Sequence, residues 1–179
     1  MKKLFLFLLF IFGLQSFECN TQQIHEIERI NNEKYQLKNE KLIFTFQTKN
    51  GKILTICMDK NEEYIVYRFG TSEQVEMEYP EQKDKSSFEK FEYSGWMRGG
   101  GVRNEGMRLD YLAFSVNHFK YVVYDTYFAV GNKSSTGIKV INTQTNKTTD
   151  IKGIYETLEG NLSDFRFDDR IKKGEELYD

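Results

Sequence analysis

The chain has 179 residues, and its 25 Lys and Arg against 27 Asp and Glu give a formal net charge of −2. Because the two signs alternate along the chain, the basic patch that nucleic-acid binding needs is missing. Phe, Trp and Tyr make up 15% of the residues, which excludes a disordered chain and is enough for a packed core. The length fits one compact domain.

The N-terminus has the pattern of a secretory signal peptide. Lys2 and Lys3 precede the apolar run Leu4 to Leu14, which is too short to cross a bilayer as a helix. Cleavage after Ser16 would place a small residue before the cut. We therefore predict a signal peptide over residues 1–16, a short helical or loose leader arm over residues 17–40, and an exported protein that is periplasmic or secreted.

Cys19 and Cys57 are the only two cysteines, and they leave alternatives open. An exported chain with an even number of cysteines favours a Cys19–Cys57 disulfide. Lipidation of Cys19 would instead make a membrane-anchored lipoprotein, but Phe17 and Glu18 fit poorly before a lipidated cysteine. A third alternative leaves Cys57 as an inert buried thiol in its apolar run. Contact with a membrane is expected only if Cys19 carries lipid.

After the leader arm, the hydrophobic period changes to two, which is typical of strands. The first two runs flank Asn50-Gly51, a dipeptide favoured in two-residue hairpin turns because both central residues need a positive φ. The further runs are separated by short polar or glycine-containing turns, and Pro80 ends one of them. The predicted strands are 42–46, 53–57, 64–69, 75–79, 88–93, 109–116, 119–130, 137–141 and 147–154.

This succession of short strands predicts an all-β fold, a single antiparallel β-sandwich or up-and-down β-barrel of about eight strands. The same alternation fits both architectures. The predicted β domain covers residues 41–157, and residues 158–179 form a polar C-terminal tail that is partly helical. No alternation of helix and strand is present, so a nucleotide-binding α/β fold is not expected.

One connection stands out, the segment from Ser94 to Arg108, which holds five glycines, three arginines and the only Trp. Glycine amides with arginines could bind an anion, although the segment lacks the Gly-Lys-Ser/Thr ending of a phosphate-binding loop. A plain surface loop or bulge, with the Trp capping the core, is the structural alternative. Trp and Arg are also frequent at interface hot spots. The predicted binding residues are Trp96, Met97, Arg98, Arg103 and Arg108.

Signals for catalysis or metal binding are weak. Neither His25 nor His118 belongs to a catalytic or metal-binding motif, and the C-terminal aspartates lack calcium-loop spacing. Glu76 and Glu78 alternate in the manner of the solvated face of a strand. No enzyme activity, cofactor or metal is expected.

Three segments resemble a family of small exported bacterial proteins without an assigned activity: Glu63 to Gly70, Ser94 to Gly101, and Leu109 to Phe114. The resemblance implies a bacterial origin and an envelope location, and it assigns no residue a role. The leading hypothesis is a non-catalytic exported domain that binds a protein partner, in the manner of an inhibitor or immunity protein, through the Gly-rich Trp/Arg loop. The alternatives are a structural envelope lipoprotein and a lipocalin-like carrier of a small apolar ligand.

Overall fold

The computed structural model describes residues 35–178. The predicted signal peptide, Cys19 and most of the leader arm lie outside these residues. The strands, in chain order, are β1 (Glu40–Gln47), β2 (Ile53–Asp59), β3 (Ile65–Gly70), β4 (Val75–Tyr79), β5 (Glu92–Arg98), β6 (Met107–Val116), β7 (Phe119–Phe128), β8 (Lys133–Asn142), β9 (Thr148–Lys152), β10 (Glu159–Gly160) and β11 (Lys172–Lys173). Short 3₁₀ helices cover Lys85–Lys90, Val102–Asn104, Tyr155–Thr157 and Leu162–Phe167.

The strands form two sheets, which confirms the all-β prediction and resolves it as a sandwich. A five-stranded sheet has the order β10-β1-β2-β3-β4, and a six-stranded sheet has the order β11-β5-β6-β7-β8-β9. Neighbouring strands are antiparallel except for β11, which runs parallel to β5. Because each sheet has its own two edge strands, the described chain forms no closed barrel.

The core between the sheets is built from alternate residues of nearly every strand. On β6, for example, Leu112 and Phe114 face the other sheet, whereas Ala113 between them lies on the outer face. Aromatic rings dominate this core: Phe114 stacks on Tyr79 at 4.4 Å and on Tyr121 at 5.1 Å between ring centroids. Such density leaves the interior packed with side chains.

The first hairpin is present, but the prediction of a two-residue turn is wrong. β1 and β2 are joined through Thr48, whose carbonyl accepts a hydrogen bond from the Gly51 amide at 2.9 Å. Within the turn from Thr48 to Gly51, Gly51 has a positive φ, at 76°, and Asn50 does not. The loop is therefore a turn followed by one left-handed residue, a common longer hairpin connection, instead of the two-residue Asn-Gly turn.

The predicted fifth strand is misplaced. Its first residues, Phe88 to Lys90, belong instead to the 3₁₀ helix Lys85–Lys90, which Asp84 caps by accepting a 2.8 Å hydrogen bond from the Ser86 amide. The strand itself, β5, begins at Glu92 and continues through the start of the glycine-rich segment to Arg98. Trp96 and Met97 therefore belong to a strand and not to a loop.

The C-terminal segment, predicted as a polar tail, contributes to the core. Leu162, Phe165 and Ile171 are buried between the sheets, each at most 1% exposed. The last described residue, Tyr178, packs its ring against Tyr111 on the outer face of the six-stranded sheet, with 5.3 Å between centroids. This segment thus adds the edge strand β11 beside β5 and contributes side chains to both faces of the six-stranded sheet.

Candidate functional site

The end of β5 is an open sheet edge. On the side away from β6, β11 pairs only with Glu92 and Tyr93. The Gly174 amide then donates to the Tyr93 carbonyl at 2.8 Å, and the chain leaves toward the outer face. From Ser94 to Arg98, no strand of the described chain pairs with β5 on this side.

Two large apolar side chains occupy this edge, one on each face of the sheet. Trp96 is paired with Leu109 on the outer face, and Met97 is paired with Arg108 on the inner face. Trp96 is 54% exposed and Met97 is 62% exposed. Sequence reasoning singled out both residues, but the structure shows that they point in opposite directions.

Two further exposed apolar residues lie at the same end of the sheet. Val102, in the β5–β6 loop, is 66% exposed, and Val130, in the β7–β8 turn, is 53% exposed. The two connections are tied together, because the Ala129 amide donates to the Gly106 carbonyl at 2.8 Å. We call Trp96, Met97, Val102 and Val130 the apolar edge.

The β5–β6 loop has a defined conformation. Gly100 and Gly101 have φ angles of 95° and 62°, a region that favours glycine. The Asn104 side-chain amide donates to the Gly99 carbonyl at 2.8 Å, and the Gly106 amide donates to the Gly101 carbonyl at 2.8 Å. The register of β5 and β6 contains no bulge. These hydrogen bonds fix the conformation of the β5–β6 loop, which carries Val102 of the apolar edge.

The three predicted arginines do not converge on one surface. Arg98 donates from its guanidinium to the Glu105 carbonyl at 2.8 and 3.0 Å. Arg108 points inward and pairs with buried aspartates, whereas Arg103 is exposed and has no polar partner within the described residues. Because two of the three are engaged internally, the geometry does not form a cradle for an anion.

Arg108 belongs to a buried charge cluster that sequence reasoning missed. Asp110 and Asp125 are directly paired across β6 and β7 and are at most 1% exposed. Arg108 donates to Asp125 at 2.6 Å, with its Nε 3.2 Å from Asp110. Arg166, from the C-terminal segment, donates to the other oxygen of Asp110 at 3.0 Å. Two carboxylates are thereby balanced by two guanidiniums.

Tyr93 connects this cluster to the edge strand. Its hydroxyl donates to Asp110 and accepts from Arg166 Nε at 3.2 Å. To reach Asp110 it crosses Gly95, where a Cβ atom would lie 2.6 Å from the hydroxyl oxygen. Burial and the bond to Asp110 raise the pKa of Tyr93 to about 12, so this hydroxyl keeps its proton. Gly95 is therefore required by the packing of its neighbour.

The cluster is not fully satisfied. Asp125 Oδ1, Asp110 Oδ2 and Arg108 Nε are buried without a hydrogen bond. Burial raises the pKa of Asp125, the nearby Asp110 carboxylate raises it further, and Arg108 opposes both effects. The cluster sits under Tyr93 and Arg166 and holds β5, β6, β7 and the C-terminal segment together, so its geometry indicates a structural role.

A second buried ion pair lies on the outer face of the five-stranded sheet. Arg68 donates two hydrogen bonds to Glu40, at 2.6 and 2.8 Å, and one to Glu78 at 2.6 Å. Burial alone would raise the pKa of Glu40, but the bonds from Arg68, the Leu37 amide and Tyr64 outweigh it and lower that pKa. Glu78, expected to be merely solvated, is thus a partner of a buried arginine.

Cys57 lies beside this pair. It is fully buried, and its Sγ is 3.4 Å from the Tyr35 carbonyl oxygen. Burial raises the pKa of its thiol to about 12. Since Cys19 lies outside the described residues, the Cys19–Cys57 disulfide stays a prediction.

A cleft of about 340 Å³ opens at the opposite end of the sandwich from the apolar edge. Tyr79, Phe91 and Phe114 form its floor, and charged residues such as Lys120 and Glu92 line its rim. The lipocalin-like alternative presupposes a ligand inside a barrel, whereas this cleft is an open surface feature above a packed core.

Residues 35–178 contain no group of three or more His, Cys, Asp and Glu side chains placed to hold a metal ion. None of the helices in this range is long and apolar enough to span a membrane. Comparison with known protein families, curated proteins and solved structures finds no match. The candidate site therefore rests on the geometry of this chain, and the apolar edge is its clearest feature.

Proposed function

We propose that this protein is a non-catalytic, exported β domain that binds another protein through the apolar edge. The observation that carries the proposal is the exposure of Trp96 and Met97 on opposite faces of an uncovered strand end. A partner that covers this edge would bury apolar surface on both faces of one strand, which favours association by the hydrophobic effect.

The residue types support this proposal. Trp is the side chain most enriched at binding hot spots, and Met adapts its shape to irregular surfaces. Arg103, which is exposed and unpaired among the described residues, lies in the same loop as Val102 and offers a cation at the rim. The buried charge cluster holds β5 and β6 in place beside the apolar edge, so the β5–β6 loop would not have to become ordered when a partner binds.

Photo-crosslinking tests the proposal. A photoreactive phenylalanine analogue is placed at Met97, and a matched control places it at Gln144, in the exposed β8–β9 turn at the opposite end of the same sheet. The expected result is an adduct with a second protein, of defined mass, from position 97 and not from position 144. In cells of the native host, equal adducts from both positions, or none from position 97, would contradict the proposal.

A substitution makes the test specific. Trp96→Ala, introduced together with the photoreactive group at position 97, should abolish the adduct while leaving the melting temperature nearly unchanged, because half of the Trp96 surface is already exposed. A strong fall in melting temperature would instead show that Trp96 is a structural residue.

A further inference from the structure

We propose that the cleft at the opposite end of the sandwich from the apolar edge binds a small organic acid, a carboxylate that carries an aromatic ring. The carboxylate lies between a free backbone amide and two lysines, and the ring lies against Tyr79. This cleft shares no residue with the apolar edge, so the inference goes beyond the proposed function and does not depend on it.

The cleft is a gap in the six-stranded sheet, present because β6 extends past the beginning of β5. The register of these two strands begins with Glu92 opposite Ala113, whereas β6 continues to Val116. The chain before β5 forms the 3₁₀ helix Lys85–Lys90 and does not continue the pairing. The cleft of about 340 Å³ lies at this place, with Ser115 in its wall.

The backbone of Ser115 offers a free hydrogen-bond donor to the gap. The Tyr93 carbonyl accepts a hydrogen bond from Gly174 on the side away from β6. Its neighbours in β5 therefore bond to β6, at Ala113 and Tyr111, and alternate residues of β6 direct their N–H and C=O groups to this side. Ser115 is the next such residue, and its two groups have no hydrogen-bond partner within residues 35–178. Its N–H can therefore donate to a carboxylate, while water can reach its exposed carbonyl.

The charges around the cleft favour an anion. Its lining includes Lys90, Lys120 and Lys172 against Glu89 and Glu92. Lys120 is already paired with acids, among them Glu92 at 3.7 Å. Lys90 and Lys172 are exposed and form no ion pair in the described part of the chain. Two ammonium groups are thus available to a ligand against the single remaining acid, Glu89.

The floor of the cleft suits a flat apolar group. Tyr79, Phe91 and Phe114 form it, and Tyr79 is half-buried whereas the other two rings are buried. Phe114 stacks on Tyr79 at 4.4 Å and Phe91 packs edge-on against it at 5.6 Å, so the Tyr79 ring is held in place. A ligand ring can pack against it without rearrangement of the core. The volume is near the lower limit of ligand pockets, about 300 Å³, which indicates an acid with one ring.

Two-dimensional NMR of the full chain, titrated with phenylpropionate, tests the inference. The backbone amide signal of Ser115 should shift and saturate, with a Kd of about 1–10 mM for a probe this small, while the indole signal of Trp96 at the other end stays in place. Phenylpropanamide keeps the ring without the charge, and propionate keeps the charge without the ring. Each should bind at least about threefold more weakly than phenylpropionate.

Lysine substitutions test the charge separately. The double variant Lys90→Gln with Lys172→Gln should weaken phenylpropionate about threefold to tenfold, because exposed ion pairs are individually weak. The matched control is Lys49→Gln with Lys133→Gln, two exposed lysines away from the cleft, and it should bind like the wild type. All four side chains are exposed, so both variants should keep the wild-type spectrum without ligand.

The ligand has two possible sources, a free aromatic acid and the aromatic carboxy-terminal residue of a peptide. N-acetyl-phenylalanine has the same ring and carboxylate with a peptide amide beside them. Tighter binding of this compound than of phenylpropionate would identify a peptide terminus, and weaker binding would identify a free acid.

Two results would overturn the inference. One is a Ser115 signal that does not shift with phenylpropionate up to about 20 mM, which exceeds the expected Kd. The other is equal binding of phenylpropionate and phenylpropanamide that is unchanged in the variant of Lys90 and Lys172. Neither result affects cross-linking from Met97, so this inference and the proposed function fail independently.

Discussion

Replacing Gly95 by Ala should destabilise the protein, whereas the same change at Gly99, four residues along, should not. Neither residue has a positive φ, so the backbone permits Ala at both positions. At Gly99 no atom lies within 4 Å of the added Cβ. At Gly95 the Cβ would lie 2.6 Å from the Tyr93 hydroxyl and 2.8 Å from the Leu109 carbonyl oxygen, so Tyr93 must move away from Asp110.

The size of the effect follows from these contacts. A hydrogen bond to a charged group contributes about 1.5–3 kcal/mol, and the crowded Leu109 carbonyl adds to the loss. Against this, Gly to Ala at an unstrained position gains about 0.4–1 kcal/mol through the unfolded state. We expect Gly95→Ala to lower the free energy of unfolding by about 1–3 kcal/mol, and Gly99→Ala to leave it equal or slightly higher.

Urea unfolding, followed by the fluorescence of Trp96, measures both variants, since Trp96 is the only tryptophan and lies beside Gly95. Tyr93→Phe provides the matched background, because it removes the hydroxyl that the new Cβ would meet. In that background the cost of Gly95→Ala should shrink. Equal unfolding free energies for Gly95→Ala and Gly99→Ala would refute the assignment of Tyr93 as the group that requires a glycine.

The remaining predictions concern the buried charges and the thiol. Arg68→Ala should lower the free energy of unfolding by about 3–5 kcal/mol, since Glu40 would stay buried without its partner, and adding Glu40→Gln should recover part of the loss in the same urea assay. The pKa of Asp125 is higher in the folded protein than its ordinary value of 3.8, so its ionisation opposes folding as pH rises above that value. The unfolding free energy of Asp125→Asn, relative to that of the wild type, should therefore increase as the pH is raised from about 3 to about 7. A difference that does not change across this range would contradict the raised pKa. Cys57, fully buried and with its pKa raised to about 12, should resist a thiol reagent at neutral pH until urea unfolds the chain, and rapid labelling of this thiol in the native protein would show that it is accessible.

Alternation along the strands was sufficient to predict the fold class. Runs such as Leu109 to Val116 place alternate residues toward the core and toward the outer face. The structure contains this run as strand β6 with the same alternation. Alternation does not report whether a sheet closes on itself, which is why sandwich and barrel could not be separated from the sequence.

The errors at β5 and at the C-terminus have local causes. The glycines around Trp96 were interpreted as loop residues, but Gly95 is there because Tyr93 crosses it, a reason that depends on a side chain two residues away. In the C-terminal segment, Leu162, Phe165 and Ile171 are separated by charged residues and show no strand period, yet each reaches the core from a 3₁₀ turn or a bend.

The exposure of two site residues agrees with the sequence analysis, whereas their role in binding stays a prediction. Trp96 and Met97 were singled out from residue type alone, and both are exposed in the structure. The three arginines Arg98, Arg103 and Arg108 do not converge, because strand alternation directs Arg108 inward to the buried aspartates. A signal for the buried cluster was present, since Asp110 interrupts the apolar run of β6, and a charged residue in such a run indicates a buried partner.

The central claim is that the apolar edge is a protein-binding surface, and photo-crosslinking from Met97 in cells of the native host tests it most directly. The account predicts an adduct with a distinct protein that disappears with Trp96→Ala and is not formed from Gln144. An adduct that persists in Trp96→Ala, or that forms equally from Gln144, would contradict the claim.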